Sequence, residues 1–322
     1  MGFSLAQLPP FDPRDGELVF EPEKGQVGYW VGCPGVNRFG GRYYMTYRRR
    51  RPRDVEAERG WRCAVATSVD GVHFRDLWVV HKDQLNTSSM EKFCLTQNGD
   101  GSYTLYLSYV DPADGRWRID ALDASHPSMF DVAKARTVLT AASTGTEGVK
   151  DPYVVKVGPV TYMFASYAAA KADIDLAAHS TGDIYNVGAT THPTGLAISV
   201  DEGRHFEWRE RALIPGTGWN KYQTRLNSVV RIGGDFVGFY DGSRDYHENF
   251  EEHCGLAVSG DLIHWQRLCD DGPWVVSPYT TGSVRYVDAN IFDGEWWLYY
   301  EMTREDGAHE LRVYRAPVKN RL

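Results

Sequence analysis

One phrase recurs five times along this 322-residue chain: a polar start, a β-rich run, a tight glycine-bearing turn, then a strand dense in aromatics. It reads "CPGVNRFGGRYYMTY" from Cys33, "KFCLTQNGDGSYTLYLSY" from Lys92, "DPYVVKVGPVTYMFASY" from Asp151, "LNSVVRIGGDFVGFY" from Leu226 and "YVDANIFDGEWWLYYE" from Tyr286. The turns "GG", "GDG", "GP", "GG" and "DG" are hairpin chemistry. A second phrase follows in most units: "AVATSVDGVHF" from Ala64, "LAISVDEGRHF" from Leu196 and "LAVSGDLIHW" from Leu256, with weaker copies in "RIDALDASHPSMF" and "ELRVYRAP". A unit of about 60 residues that repeats and cannot bury its own face has to stack on its neighbours. The repeat therefore predicts an all-β fold, a five-bladed β-propeller with four-stranded blades around a central funnel. One domain would span 1–322, with approximate blades at 26–85, 86–142, 143–215, 216–275 and 276–322. The early strand 16–22 is spare and would close the ring. A β-sandwich with long insertions accommodates five copies less well. In a propeller the first residues of the inner strands face the funnel mouth, which is where to look for chemistry.

The formal net charge of -8 argues against nucleic acid or an anionic membrane as partner. A small carbohydrate, neutral or carrying one anionic group, fits better; the oligomeric state is not legible. No stretch approaches 18 consecutive apolar residues, so no helical membrane span is expected. "MGFSLAQLPPFDPRDGELVF" lacks a basic start followed by an apolar run, and Ala6 stands where an N-myristoylation pattern needs Ser or Thr. Cys33, Cys63, Cys94, Cys254 and Cys269 form no CxxC pair. Reduced thiols in a cytoplasmic protein are the expectation, although a chain trimmed of a secretory leader would look the same. His247 and His253 lack a metal-ligand spacing. With no P-loop, Rossmann glycines or Gly-x-Ser-x-Gly elbow, neither cofactor nor metal is expected.

Three carboxylates stand where inner strands begin or hairpins end. Asp151 heads "DPYVVKV": it is either a reacting group or a hook that binds backbone N–H groups beside its proline. Glu91 opens the second inner strand, as a funnel residue or a solvated lip. Asp241 ends a strand before the dense loop "GSRDYHENFEEH", where Glu248 and its neighbours either hydrogen-bond sugar hydroxyls or form solvated surface. Asp288 and Arg285 make a rim salt bridge or a hydroxyl clamp. In "YRRRRPR", otherwise an exposed loop, Arg48 lies nearest the strand and can present a fork to a phosphate, sulfate or carboxylate, with Arg225 and Arg285 adding to it. Cys33 is a small buried residue or, beside a cation, an activated thiol. Trp30, Tyr29, Trp219 and Tyr222 precede inner strands and either stack on sugar rings or wedge blades together. Asp70, Asp201 and Asp261 of the second phrase are expected to pin turns.

"CPGV…GGRYYMTYR", "DGVHF" and "VKDPYVV", set in five repeats, resemble the five-bladed propeller glycosidases: glycoside hydrolase families 43 and 32, and the mannoside phosphorylases of family 130. The resemblance implies three carboxylates on the first, third and fourth inner strands, acting as general base, as orienting and pKa-tuning group, and as general acid. Asp151 matches the third. Cys33 occupies the first position and Arg225 the fourth. "CPGV", Tyr47–Arg48 and "KDPY" also resemble motifs of the phosphorylases, from which Lys150 and Tyr153 depart. What the resemblance implies is glycoside cleavage in the funnel, with Asp151, Glu91 and Asp241 as candidate catalytic groups. Arg225, Arg285, Asp288, Trp30, Arg48, Glu248 and Cys33 are then candidate substrate-binding groups. Phosphorolysis, and a non-catalytic sugar-binding or recruited scaffold, are the alternatives.

Overall fold

Runs of β-branched and aromatic residues punctuated by hairpin turns leave little to form helices. The computed structural model describes residues 2–54 and 58–319, and among them the α-helix content is one turn, Ala141–Thr144. Strand β1 (Glu17–Phe20) precedes a first antiparallel meander, β2 (Trp30–Phe39), β3 (Arg42–Arg50), β4 (Arg62–Ser68) and β5 (Arg75–His81). The second meander is β6 (Cys94–Gln97), β7 (Tyr103–Val110), β8 (Trp117–Ala124) and β9 (Arg136–Leu139). The third is β10 (Gly148–Val157), β11 (Val160–Ala168), β12 (Thr194–Ser199) and β13 (Glu207–Leu213). The fourth is β14 (Gln223–Ile232), β15 (Asp235–Ser243), β16 (His253–Ser259) and the short β17 (Gln266–Arg267). The last is β18 (Val284–Phe292), β19 (Glu295–Thr303) and β20 (His309–Pro317), and β1 hydrogen-bonds to β20 as its fourth strand. Gly40–Gly41 (φ 57° and 77°) and Asp293–Gly294 (φ 53° and 79°) both hold two positive φ values in sequence, the backbone that a two-residue hairpin turn requires.

The apolar core lies between consecutive meanders. Leu95, Leu105 and Leu107 pack on Val65 and Val80, and Met163 and Ala165 on Tyr106 and Ile119. Leu226 and Tyr240 pack on Phe164, and Trp296 and Leu298 on Phe239 and Leu256. Trp297, Tyr299, Leu311 and Val313 then pack on Val31, Met45 and Ala64 of the first meander. Asp70, Asp201 and Asp261 accept N–H bonds from their own turns and bond the rings of His73, His205 and His264, so they are turn pins.

Four of the five first strands carry a bulge at the same height: Gly32/Gly35, Lys150/Tyr153, Leu226/Ser228 and Arg285/Asp288. A bulge takes backbone groups out of the ladder, and buried N–H groups need acceptors. Side chains from neighbouring meanders supply them. Cys33 N–H donates to Glu301, Val36 N–H to Asp288, Lys92 N–H to Asp151, Asp151 N–H to Ser108 Oγ, and Tyr286 N–H to Asp241. Asp151 is thus a hook between the third meander and the second.

Gly32 shows how tightly this region is filled. A Cβ there would lie inside the Glu301 carboxylate, which cannot give way because Arg285 and His309 hold it. Overpacking of this kind typically costs 1–3 kcal/mol, and Gly32→Ala is expected to cost about 3 kcal/mol in urea denaturation. A loss under about 1 kcal/mol would mean that Glu301 is not fixed as described.

Candidate functional site

The register pairs beside the bulges place charge at one end of the first strands. Gly32 faces Arg48, Lys150 faces Ser166, Arg225 faces Asp241, and Arg285 faces Glu301; Glu91 N–H bonds to Ser108 O at the matching place in the second meander. These side chains form one buried network. Arg225 Nη1 meets Asp151 at 3.2 Å, while its Nη2 meets both Asp241 (2.6 Å) and Glu252 (3.2 Å). Arg285 binds Glu301 (2.6 Å) and Glu252 (2.6 Å). Arg48 pairs with Glu91, and Lys150 lies 3.8 Å from Glu91 and 3.9 Å from Asp151. His309 bridges Glu301 (2.7 Å) and Glu251 (2.9 Å). The Tyr286 ring lies under Arg225 at 3.9 Å, and its hydroxyl bonds to Glu91.

Three carboxylates on one guanidinium cannot all be compensated, and the environment separates them. Burial would raise Glu252, but Arg225 and then Arg285 hold it at about 2. Burial raises Asp241; Arg225 opposes this and the Glu252 charge adds to it, leaving Asp241 above the usual carboxylate range. Glu301 is held low against burial by Arg285 and His309. Burial brings Lys150 down to about 8, with Asp151 opposing. His309 would lose its proton on burial, but Glu251 and Glu301 raise it. The centre therefore contains a carboxyl biased toward protonation and a carboxylate biased toward charge, both on the same nitrogen.

Several polar atoms here have no protein partner: Arg225 Nε, Gln223 Oε1, Ser166 Oγ, both ring nitrogens of His192, and Arg50 Nε. Each such buried atom costs about 1–3 kcal/mol unless something polar meets it.

Of the residues singled out in the sequence, Asp151, Glu91, Asp241, Arg48, Arg225 and Arg285 all enter the network. Cys33 abuts it through its N–H bond to Glu301, and burial pushes its thiol up to about 12 despite Arg48, the opposite of the shift that activates a thiol. Trp30 is also adjacent, with its faces taken: His309 stacks on it at 4.4 Å, and Arg50 (4.2 Å) and Arg285 (4.7 Å) lie over it. Asp288 lies past its bulge and bonds to Val36 N–H and Asn290; burial raises it to about 6, with Lys92 opposing. Glu248 stays half-buried on the rim beside Arg244. Sequence reasoning missed Lys150, Glu301, His309 and Arg50 as parts of this centre, and named Glu252 only as part of its loop. Cavities of about 520 Å³ (Asp111–Gly115 with His179) and about 540 Å³ (Phe3 with Trp265 and Leu268) are lined by other residues. Among the described residues no cluster of His, Cys, Asp and Glu has the geometry to hold a metal ion.

No protein-family model matches the chain, and no curated protein sequence matches it. Solved structures do. A structure described as a glycoside hydrolase superposes with a TM-score of 0.68 at 13% identity, over 96% of this chain and 92% of that one. A structure described under family 130 of the mannoside phosphorylases, a family said there to contain glycoside hydrolases that target β-1,2 mannosidic linkages in Candida mannan, gives 0.64 at 14% identity over 97% and 98%. The family 43 enzyme of Xanthomonas citri complexed with xylose gives 0.62 at 14% identity over 94% and 90%. The chain shares the mostly-β fold of these structures along nearly its whole length, with a sequence far from theirs.

Proposed function

We propose that this chain is a carbohydrate-active enzyme that cleaves a glycosidic bond at the arginine–carboxylate centre, with its five meanders arranged as five blades around it. The observation that carries the reading is the Asp241/Glu252 pair, one carboxyl pushed up and one pulled down on a single guanidinium nitrogen. Opposite displacement of two neighbouring carboxyls is how acid and anion roles are divided in glycoside cleavage. Asp241 would protonate the departing glycosidic oxygen, and anionic Glu252 would face the positive charge developing at the anomeric carbon. Asp151, fixed by Lys92 N–H and Arg225, would hold Arg225 in place.

A second reading has its own support. Asp151, Glu91, Asp241, Glu252 and Glu301 all carry a cation, and the network is almost sealed from solvent. That arrangement suits a non-catalytic scaffold of the same fold, whose charges hold the strands together. A panel of aryl glycosides, furanosides included, assayed with and without phosphate separates the readings. The enzyme reading expects turnover on at least one member, reduced about tenfold or more in Asp151→Asn; dependence on phosphate would make it a phosphorylase. Absence of turnover across the panel would leave the scaffold reading.

A further inference from the structure

The arginine run that follows β3 distributes its charges unequally. Arg48 pairs with Glu91, Arg49 donates to Glu21 O, Arg51 binds Glu23, and Arg53 shares Asp183 with Arg59. The side chain of Arg50, a residue only 7% exposed, has no hydrogen bond or ion pair with any described residue, and its Nε is buried without a partner. Its Cζ lies 4.2 Å from the centre of the Trp30 ring and 4.6 Å from that of the Phe250 ring. The two ring centroids lie 6.3 Å apart, so they cover adjacent sides of the guanidinium and leave the others to bind an oxyanion through its N–H groups.

Its surroundings add positive charge instead of cancelling it. Arg48, Arg53, Arg59 and Arg285 all act on Arg50, and together with burial they disfavour its charged form. An uncompensated buried charge is costly, and an arginine cannot shed its proton at ordinary pH. A guanidinium held in this way is compensated when an anion arrives.

We propose that Arg50 is the docking point for an oxyanion of the ligand, a carboxylate on a sugar acid or a phosphate or sulfate group. The assignment rests on the reading of the adjacent centre as a sugar site. It places the anionic group at Arg50 and the sugar toward Arg285, which lies over the same Trp30 ring, and Arg48, which shares the Tyr286 ring with Arg285.

The test measures binding without turnover, by thermal shift and calorimetry on the full chain. Probes are inorganic phosphate, inorganic sulfate, glucuronate, and neutral glucose as control. Expected is saturable stabilisation by at least one anion, not by glucose, and weakening with added chloride. Arg50→Met should weaken that anion about tenfold or more, while its melting temperature without anion equals or exceeds that of the parent, because a buried unpaired charge has gone. Arg50→Lys, which keeps the charge but loses the fork, should weaken it as well. Glucuronate alone would identify a sugar acid, and phosphate or sulfate alone an ester or free ion. The proposal is overturned if no anion binds the parent chain, if both variants bind as tightly as the parent, or if Arg50→Met melts well below the parent without anion. The last result would make Arg50 a strut between two rings. Turnover of neutral aryl glycosides with no anion binding would remove this proposal and leave the enzyme reading standing.

Discussion

Arg225→Met is expected to cost about 3–5 kcal/mol of stability at pH 7, the range seen when one partner of a buried ion pair is removed. Arg225 contacts three carboxylates, all essentially inaccessible to water. Asp151 also holds the Lys92 N–H of the second meander, and Asp241 the bulge N–H of Tyr286 in the fifth. Methionine fills the space but leaves Asp151 with only distant Lys150, Asp241 with no cation and Glu252 with Arg285 alone. The pH dependence has a definite sign. Glu252 lies at about 2 in the folded chain against an ordinary value of 4.5, so its contribution is fully present above about pH 4.5 and is lost as pH falls toward 2. Without Arg225 that contribution shrinks, and the gap between parent and variant should narrow on acidification. Urea denaturation at pH 7, 5 and 3 reads both effects. A loss below about 1 kcal/mol, or a gap that does not change with pH, would show that the arginine is not the keystone of these three carboxylates.

What the sequence disclosed about this centre depended on how local the signal was. The five hairpins were legible because a turn of glycine or Asp-Gly between β-rich runs is a short-range instruction. Asp151, Arg225 and Arg285 were legible because they stand at strand starts. Glu301 was missed although the same count applied: it faces Arg285 across its hairpin as Asp241 faces Arg225. Strand parity also put Arg48 and Arg50 on one face and Arg49 and Arg51 on the other, yet a run of basic residues read as a solvated loop. Glu252 and Glu248 could not be told apart in sequence. Only the path of the loop decides that Glu252 is buried between two arginines and Glu248 stays beside Arg244 on the rim. His309 owes its place to Glu251 and Glu301, which come from different meanders and are invisible to any local pattern.

Asp241→Asn is expected to lower kcat by about 10²–10⁴-fold, the usual size of a lost general acid, while changing stability by less than about 1 kcal/mol. The two numbers together matter more than either alone. If burial and Glu252 keep a proton on Asp241, the folded chain already contains a neutral side chain of nearly the same shape as asparagine. The amide oxygen still accepts the Tyr286 N–H, and Arg225 keeps Asp151 and Glu252. A carboxyl whose folded pKa lies above its ordinary 3.8 favours the folded state while protonated, and that advantage fades as pH rises through the folded value. The variant should therefore match the parent in acid and be no less stable than it in alkali. Ionised Asp241 would behave differently: losing the charge opposite Arg225 would cost at least about 2 kcal/mol at pH 7, with a pH profile resembling that of Arg225→Met. That outcome would remove Asp241 as proton donor and return it to the bulge it pins. Unchanged turnover in a stable variant would move the acid elsewhere in the network, and Glu91, bonded to the Tyr286 hydroxyl and shared by Arg48 and Lys150, would be the group to change next.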